Sequence, residues 1–129
     1  MVKRREKKTV LVVEDEVDIR NFTARVLELE GYHVLQAENG IEGLRLAKES
    51  GVALVLLDLR LPGLNGWELL ERLKADPQLS EIPVVVLTSS ADALLRERAL
   101  SLGATDYLIK PLSAASLKEA VGRALRGDS

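Results

Sequence analysis

Five polar residues carry the chemical interest of this sequence: Glu14, Asp15, Asp58, Thr88 and Lys110. They stand at the ends of short strand-like segments, at residues 9–13, 53–57, 82–87 and 105–109. An unpaired carboxylate at the rim of a core is costly. Three that converge raise one another's pKa unless a cation lies among them. A hard divalent ion with oxygen ligands meets that need. Mg2+ fits best, because it keeps several waters and takes one or two carboxylates plus phosphate oxygens; Mn2+ is the alternative. A lysine and a hydroxyl facing the carboxylates suit an incoming phosphoryl group. The implied chemistry is attack by the Asp58 carboxylate on phosphorus, giving an aspartyl phosphate.

Each residue also has a plainer reading. Asp58 can simply open a loop. Asp15 can cap the helix that follows, with Glu14 or Glu16 favoured there by the helix dipole. Thr88 can be only a β-branched strand residue, and Lys110-Pro111 an ordinary turn. Their joint placement, past different buried strands, argues for a shared site.

The elements that must position them alternate along the chain. Residues 53–57, five apolar residues between Gly51 and Asp58, read as a strand buried on both faces. Residues 9–13, 82–87 and 105–109 read as strands too, while 32–37 alternate apolar and polar residues like a strand near an edge. Between them, helical spacing places Ile19, Phe22, Val26 and Leu27 inward on a first helix closed by Gly31. Asn39 caps a second helix carrying Ile41, Leu44 and Ala47. A third has Leu69, Leu70 and Leu73 inward and breaks at Asp76-Pro77. Ser90 caps a fourth through Leu94, Leu95 and Ala99. A fifth carries Leu117, Ala120, Val121, Ala124 and Leu125. Strands alternating with helices over short connections predict an α/β fold, a parallel sheet covered on both faces. In such open sheets ligands bind outside the carboxyl ends of the strands.

Composition narrows the classes. At 129 residues, 47% apolar and 29% charged, the chain reads as one globular domain. With no cysteine it has neither a disulfide framework nor a thiolate metal site. It lacks a bilayer-spanning apolar run and a secretory signal, so no membrane association and a cytoplasmic location are expected. Residues 1–8 carry net +4, which leaves −6 on the remainder of a chain of formal charge −2. This basic arm, with no aromatic residue, reads as a flexible solvated tail; direct nucleic-acid binding is not expected. His33, the only histidine, has no metal-ligand pattern around it. Trp67 is expected to pack over the third helix. Gly63 and Gly66 lack the spacing of a phosphate-cradling loop, so nucleotide binding is unsupported.

The motifs VLVVEDE, LVLLDLRLPGLNGWELL, IPVVVLTSS and GATDYLIKPL together resemble the receiver domain of two-component response regulators. The resemblance covers residues 9–126, with 127–129 as a tail. It implies a flavodoxin-like, doubly wound, five-stranded parallel sheet of order 2-1-3-4-5 with five helices. It implies that Asp58 accepts the phosphoryl group. Glu14 and Asp15 would hold Mg2+ together with Asp58 and the backbone carbonyl of Arg60. Lys110 would pair with the phosphoryl oxygens, followed by a cis bond to Pro111. Thr88 and Tyr107 would be the switch pair, Tyr107 turning from a wet position into space vacated behind Thr88. Arg60 and Ser90 would modulate the lifetime of the phosphorylated state. The implied donor is a sensor histidine kinase or a phosphotransfer protein. The face of the fourth helix, last strand and last helix would act on an output partner outside this chain, as a monomer or a phosphorylation-dependent dimer. On this reading the chain catalyses only its own phosphorylation and dephosphorylation.

Two other functions compete. A receiver-like interaction module independent of phosphate would not need the intact Glu14, Asp15, Asp58, Thr88 and Lys110 set. A Mg2+-dependent phosphatase would want a second acid two residues after Asp58 for general acid work, and that position holds Arg60.

Overall fold

Short β-branched and leucine-rich runs form five parallel strands, and the amphipathic segments between them form five helices. In chain order these are β1 (Thr9–Val13), α1 (Val17–Leu29), β2 (His33–Ala37), α2 (Gly40–Glu49), β3 (Leu54–Asp58), α3 (Gly66–Ala75), β4 (Val84–Thr88), α4 (Ala93–Ser101), β5 (Asp106–Ile109) and α5 (Ala114–Arg126). The computed structural model describes residues 7–127. The basic arm up to residue 6 and residues 128–129 of the tail lie outside the described residues. No described helix is long and apolar enough to cross a membrane.

The sheet order is β2-β1-β3-β4-β5, every neighbour pair parallel. Alternation along each strand sends side chains to two separate cores. Leu11, Val13, Val55, Leu57, Val84, Val86 and Tyr107 face one, with Ala47 of α2, Leu69, Leu70 and Leu73 of α3, and Ala99 of α4. Val10, Val12, Leu54, Leu56, Val85 and Leu87 face the other, with Val26 and Leu27 of α1 and Leu117, Val121 and Ala124 of α5. Every residue of β3 and β4 is buried, as central strands covered on both faces require. β2, with its wetter pattern, is an edge strand.

Several local expectations need correction. The inward stripe of α1 runs through Thr23, Ala24, Val26 and Leu27, leaving Phe22 43% exposed. Small residues let α1 lie close on the sheet, so the bulky Phe22 is turned outward. Ile41 of α2 and Leu94 of α4 are likewise exposed. The cap of α4 is Asp92 rather than Ser90: Asp92 accepts from the Leu94 N–H at 2.8 Å, while the Ser90 hydroxyl accepts from the Asp92 N–H at 3.2 Å. Asn39 caps α2 through the Glu42 N–H, and Asn65 caps α3 through the Glu68 N–H. Trp67 packs partly buried against the core at the start of α3, and the Arg98 guanidinium of α4 lies 4.3 Å from its ring centroid.

Gly40, against the Leu64 backbone, and Gly66, beside the site, are required by close approach. A Cβ on Gly66 would overlap the Leu59 backbone and stand 2.5 Å from the Asp58 carbonyl oxygen. The first turn of α3 is thereby seated directly on the chain leaving β3. Gly66→Ala is expected to lower stability by about 1–3 kcal/mol through overpacking. Gly122→Ala in α5, whose Cβ meets only the flexible Arg126 side chain, is expected to raise it by up to about 1 kcal/mol through helix propensity. Urea unfolding of the two variants beside the parent checks the opposite signs.

Candidate functional site

All the strand-end residues come together at the carboxyl edge of the sheet. Asp58 closes β3 and is almost wholly buried; its Oδ1 accepts from the Arg60 N–H at 3.0 Å and its Oδ2 from Lys110 Nζ at 3.2 Å. Lys110 follows β5. Its N–H donates to the Thr88 carbonyl at 2.7 Å, which fixes the point from which the side chain departs, and its bond to Pro111 is cis. Lys110 Nζ also lies 2.7 Å from Glu14 Oε1 and 4.0 Å from Glu16 Oε1.

Glu14 continues β1 past its end. Its N–H donates to the Ala37 carbonyl at 3.0 Å, and its Oε2 accepts from the Glu16 N–H at 3.2 Å. Its Oε1 is buried and, beyond the Lys110 ion pair, has no hydrogen-bond partner. Asp15 is exposed beside it. One carboxylate oxygen each of Glu14, Asp15 and Asp58 lie within 4.8 Å of one another. The position before α1 that a capping side chain would fill belongs to Glu16, which makes no side-chain cap, so Asp15 is left to the cluster.

The electrostatics follow from burial and crowding. Burial pushes the Glu14 carboxyl up from 4.5 to about 7, with Asp58 acting in the same direction and Lys110 and the Glu16 N–H against it. Burial also works against the Lys110 ammonium, but Glu14 and Asp58 outweigh it and hold its pKa above the ordinary lysine value. Three carboxylates in an all-oxygen set, with one ammonium shared between the two buried ones, fit a hard divalent cation.

Thr88 closes β4 on the opposite side of Asp58. Its Oγ1 accepts from the Ser90 N–H at 3.2 Å, and the Ser90 carbonyl accepts from the Tyr107 hydroxyl at 3.1 Å. Tyr107 therefore does not start from a wet position: it is only 7% exposed, and its ring belongs to the core beneath α4. The β4–α4 segment closes over a side chain that would otherwise stand open near the sheet edge. His33 is exposed at the first position of the edge strand and takes no part in the site.

One residue escaped the sequence reading. Arg20 of α1 donates from Nη1 to the Glu14 carbonyl at 2.9 Å. The signal was present: Arg20 precedes Thr23, Ala24 and Leu27 at spacings of three, four and seven, on the buried stripe of α1. A cation on an inward stripe needs a partner.

Comparison with known proteins agrees with this geometry. Residues 10–122 match the family model described as the response regulator receiver domain. The chain is 43% identical over 121 residues to the uncharacterized transcriptional regulatory protein YkoG of Bacillus subtilis, covering 94% of this chain and 52% of that protein. It is 40% identical over 126 residues to the phosphate regulon transcriptional regulatory protein PhoB of Pseudomonas aeruginosa, covering 95% and 55%. It thus spans about half the length of these relatives. Among solved structures, a CheY-like response regulator receiver domain protein from Methanospirillum hungatei superimposes with a TM-score of 0.87 at 30% identity, over 95% of this chain and 96% of that one.

The raised Glu14 pKa has a consequence for stability. The folded state holds this proton more tightly than the unfolded chain, so the contribution is full below about 4.5 and is lost as pH rises through about 7. In EDTA, the stability difference between Glu14→Gln and the parent should therefore grow in favour of the variant from pH 5 to pH 8, by roughly 1–3 kcal/mol. Urea midpoints at both pH values measure it; parallel curves for the two proteins would contradict the assignment.

Proposed function

The chain belongs to the response regulator receiver domain family, and on that premise we propose that Asp58 takes a phosphoryl group from a phosphohistidine of a sensor histidine kinase or phosphotransfer protein. The observation that carries this reading is the convergence of Lys110 on Asp58 and Glu14, with Asp15 completing the carboxylate cluster. Receiver domains bind Mg2+ at an acidic pocket, and here Glu14, Asp15, Asp58 and the Arg60 carbonyl would hold it. Bound there, Mg2+ supplies charge neutralisation for the acids and the phosphoryl oxygens.

The chain's own residues do the rest. The Arg60 N–H on Oδ1 and Lys110 on Oδ2 hold the Asp58 carboxylate in one orientation. One carboxylate oxygen attacks phosphorus; an O–P bond forms, the donor's P–N bond breaks, and the imidazole leaves with the electron pair. Lys110 follows the new charge onto the phosphoryl oxygens. The donor protein would seat on the cleft of about 250 Å3 beside Lys110, lined by Ile19, Phe22, Pro111 and Leu112. Exposed Phe22 suits such a contact better than a core position.

Output begins at Thr88. When its hydroxyl turns to a phosphoryl oxygen it releases the Ser90 N–H, and Ser90 also holds the Tyr107 hydroxyl. The β4–α4 segment then re-forms around an inward Tyr107, and the face carrying exposed Leu94, Leu100 and Ile109 changes shape toward its output partner. This reading places the protein in the cytoplasm, as a switch that catalyses only its own phosphorylation and dephosphorylation. Beyond the site, output through a partner and any phosphorylation-dependent dimer are part of the same proposal. The exposed Arg60 side chain stands at the edge of the site, where it shields the phosphoryl group from water.

Incubation with Mg2+ and a small acyl phosphate tests the reading. One phosphoryl group per chain is expected, absent in Asp58→Asn, with no turnover of added phosphoesters; labelling that survives in Asp58→Asn overturns it. In the labelled protein, Arg60→Ala is expected to speed dephosphorylation several-fold, and an equal or slower rate would remove Arg60 from that role. Size exclusion with and without a beryllofluoride mimic reads any activation-dependent dimer.

A further inference from the structure

The Arg20 guanidinium is built into the site's underside. Its side chain is 13% exposed, unlike the solvated Arg45 of α2. Nη1 donates to the Glu14 carbonyl at 2.9 Å, Nε to Gln36 Oε1 at 3.3 Å, and Nη2 stands 4.0 Å from Glu38 Oε2. The backbone N–H of Arg20 donates to the Glu16 carbonyl at 2.9 Å. One residue thus ties the first turn of α1 to the end of β2 across the peptide that joins Glu14 to Asp15.

That peptide has special weight. Glu14 is anchored by its N–H to Ala37 and by its Oε2 to the Glu16 N–H. Asp15 is exposed, and no hydrogen bond or ion pair of its side chain is among those described, so its placement depends on the plane of the preceding peptide. The Glu14 carbonyl is half of that plane, and Arg20 is what holds it. We propose that Arg20 is a positioning residue of the acidic site: by gripping the Glu14 carbonyl from α1 while braced on Gln36 of β2, it orients the Glu14–Asp15 peptide so that both carboxylates face Asp58. This rests on the divalent-cation reading of the cluster given above. Rigid outer-shell partners that orient ligands in this way typically change metal affinity 10–100-fold when removed.

The sign of the effect is set by geometry. Arg20 places positive charge beside a site that recruits a cation, so by charge alone its removal would tighten Mg2+ binding. If orientation governs, removal weakens it. Calorimetric titration of Mg2+ into the whole chain separates the two, with the parent and Asp58→Asn as references. Arg20→Ala is expected to raise the Mg2+ dissociation constant about tenfold, with the phosphorylation rate by a small acyl phosphate restored when Mg2+ is raised in proportion. Arg20→Gln keeps one donor without the charge and is expected to recover part of the affinity. Gln36→Leu, which removes only the remote anchor, is expected to give a smaller loss of the same sign. Unchanged or tighter Mg2+ binding in both Arg20→Ala and Arg20→Gln overturns the proposal. If Arg20→Ala does not fold, the Arg20→Gln and Gln36→Leu titrations decide alone, and parent-like affinity in both overturns it. Failure of the parent itself to bind Mg2+ overturns instead the cation reading on which it rests.

Discussion

Everything at the carboxyl edge of this sheet depends on one ammonium group. Lys110 Nζ stands between Asp58 and Glu14, at 3.2 and 2.7 Å. Without it, two buried carboxylates would face each other with only backbone N–H groups for compensation, a cost of several kcal/mol for each uncompensated charge. With it, the carboxylates still outnumber the cation, and burial, with Asp58 acting in the same direction, pushes Glu14 toward neutrality. A site poised in this way is stable enough to fold and remains short of positive charge. That shortage is what makes the all-oxygen cluster fit a divalent ion, as the proposed function requires.

The parallel sheet makes the arrangement possible because all its strands deliver their ends to one edge. β3 and β4, buried throughout, supply rigid supports for Asp58 and Thr88. The close seating of Gly66 on the Leu59 backbone and the Asp58 carbonyl prevents the β3–α3 connection from drifting away from the site. On the β1 side a side chain would add the same support, because Arg20 of α1 reaches the Glu14 carbonyl. Backbone and side-chain devices would thus perform equivalent tasks at neighbouring strand ends.

Much of this was legible from the sequence for a simple physical reason. Strands covered on both faces appear as short continuous apolar runs, and a polar residue ending such a run marks the sheet edge directly; Asp58, Thr88 and Lys110 were found in that way. What was not legible depended on helix rotation and loop closure. The small buried residues Thr23 and Ala24 carry a weak apolar signal, so the bulkier Ile19, Phe22 and Val26 set the expected face of α1 and hid Arg20. Ser90 and Asp92 are both good capping residues, and only the folded β4–α4 segment distinguishes them. The burial of Tyr107 likewise depends on how α4 lies over β5. α4 buries only Ala99 within its own length, so its sequence does little to fix that position.

The alternation of side chains along the strands sets Thr88 apart from the charged residues of the site. Continuing the pattern of β1, β3 and β5, Glu14, Asp58 and Lys110 share the parity of the residues that face α1 and α5, as Val12, Leu56 and Leu108 do. Thr88 has the other parity, shared with Val84 and Val86, which pack with Tyr107 against the α3–α4 side. Val86 pairs with Tyr107 in the ladder, so Thr88 and Tyr107 lie two residues apart on one face of adjacent strands. Thr88 is thus the site's link to the core beneath α4. Charge is gathered on one side of the sheet, and on the other α4 is lightly anchored apart from Ala99 and the Arg98–Trp67 contact, which is the freedom the proposed switch would use.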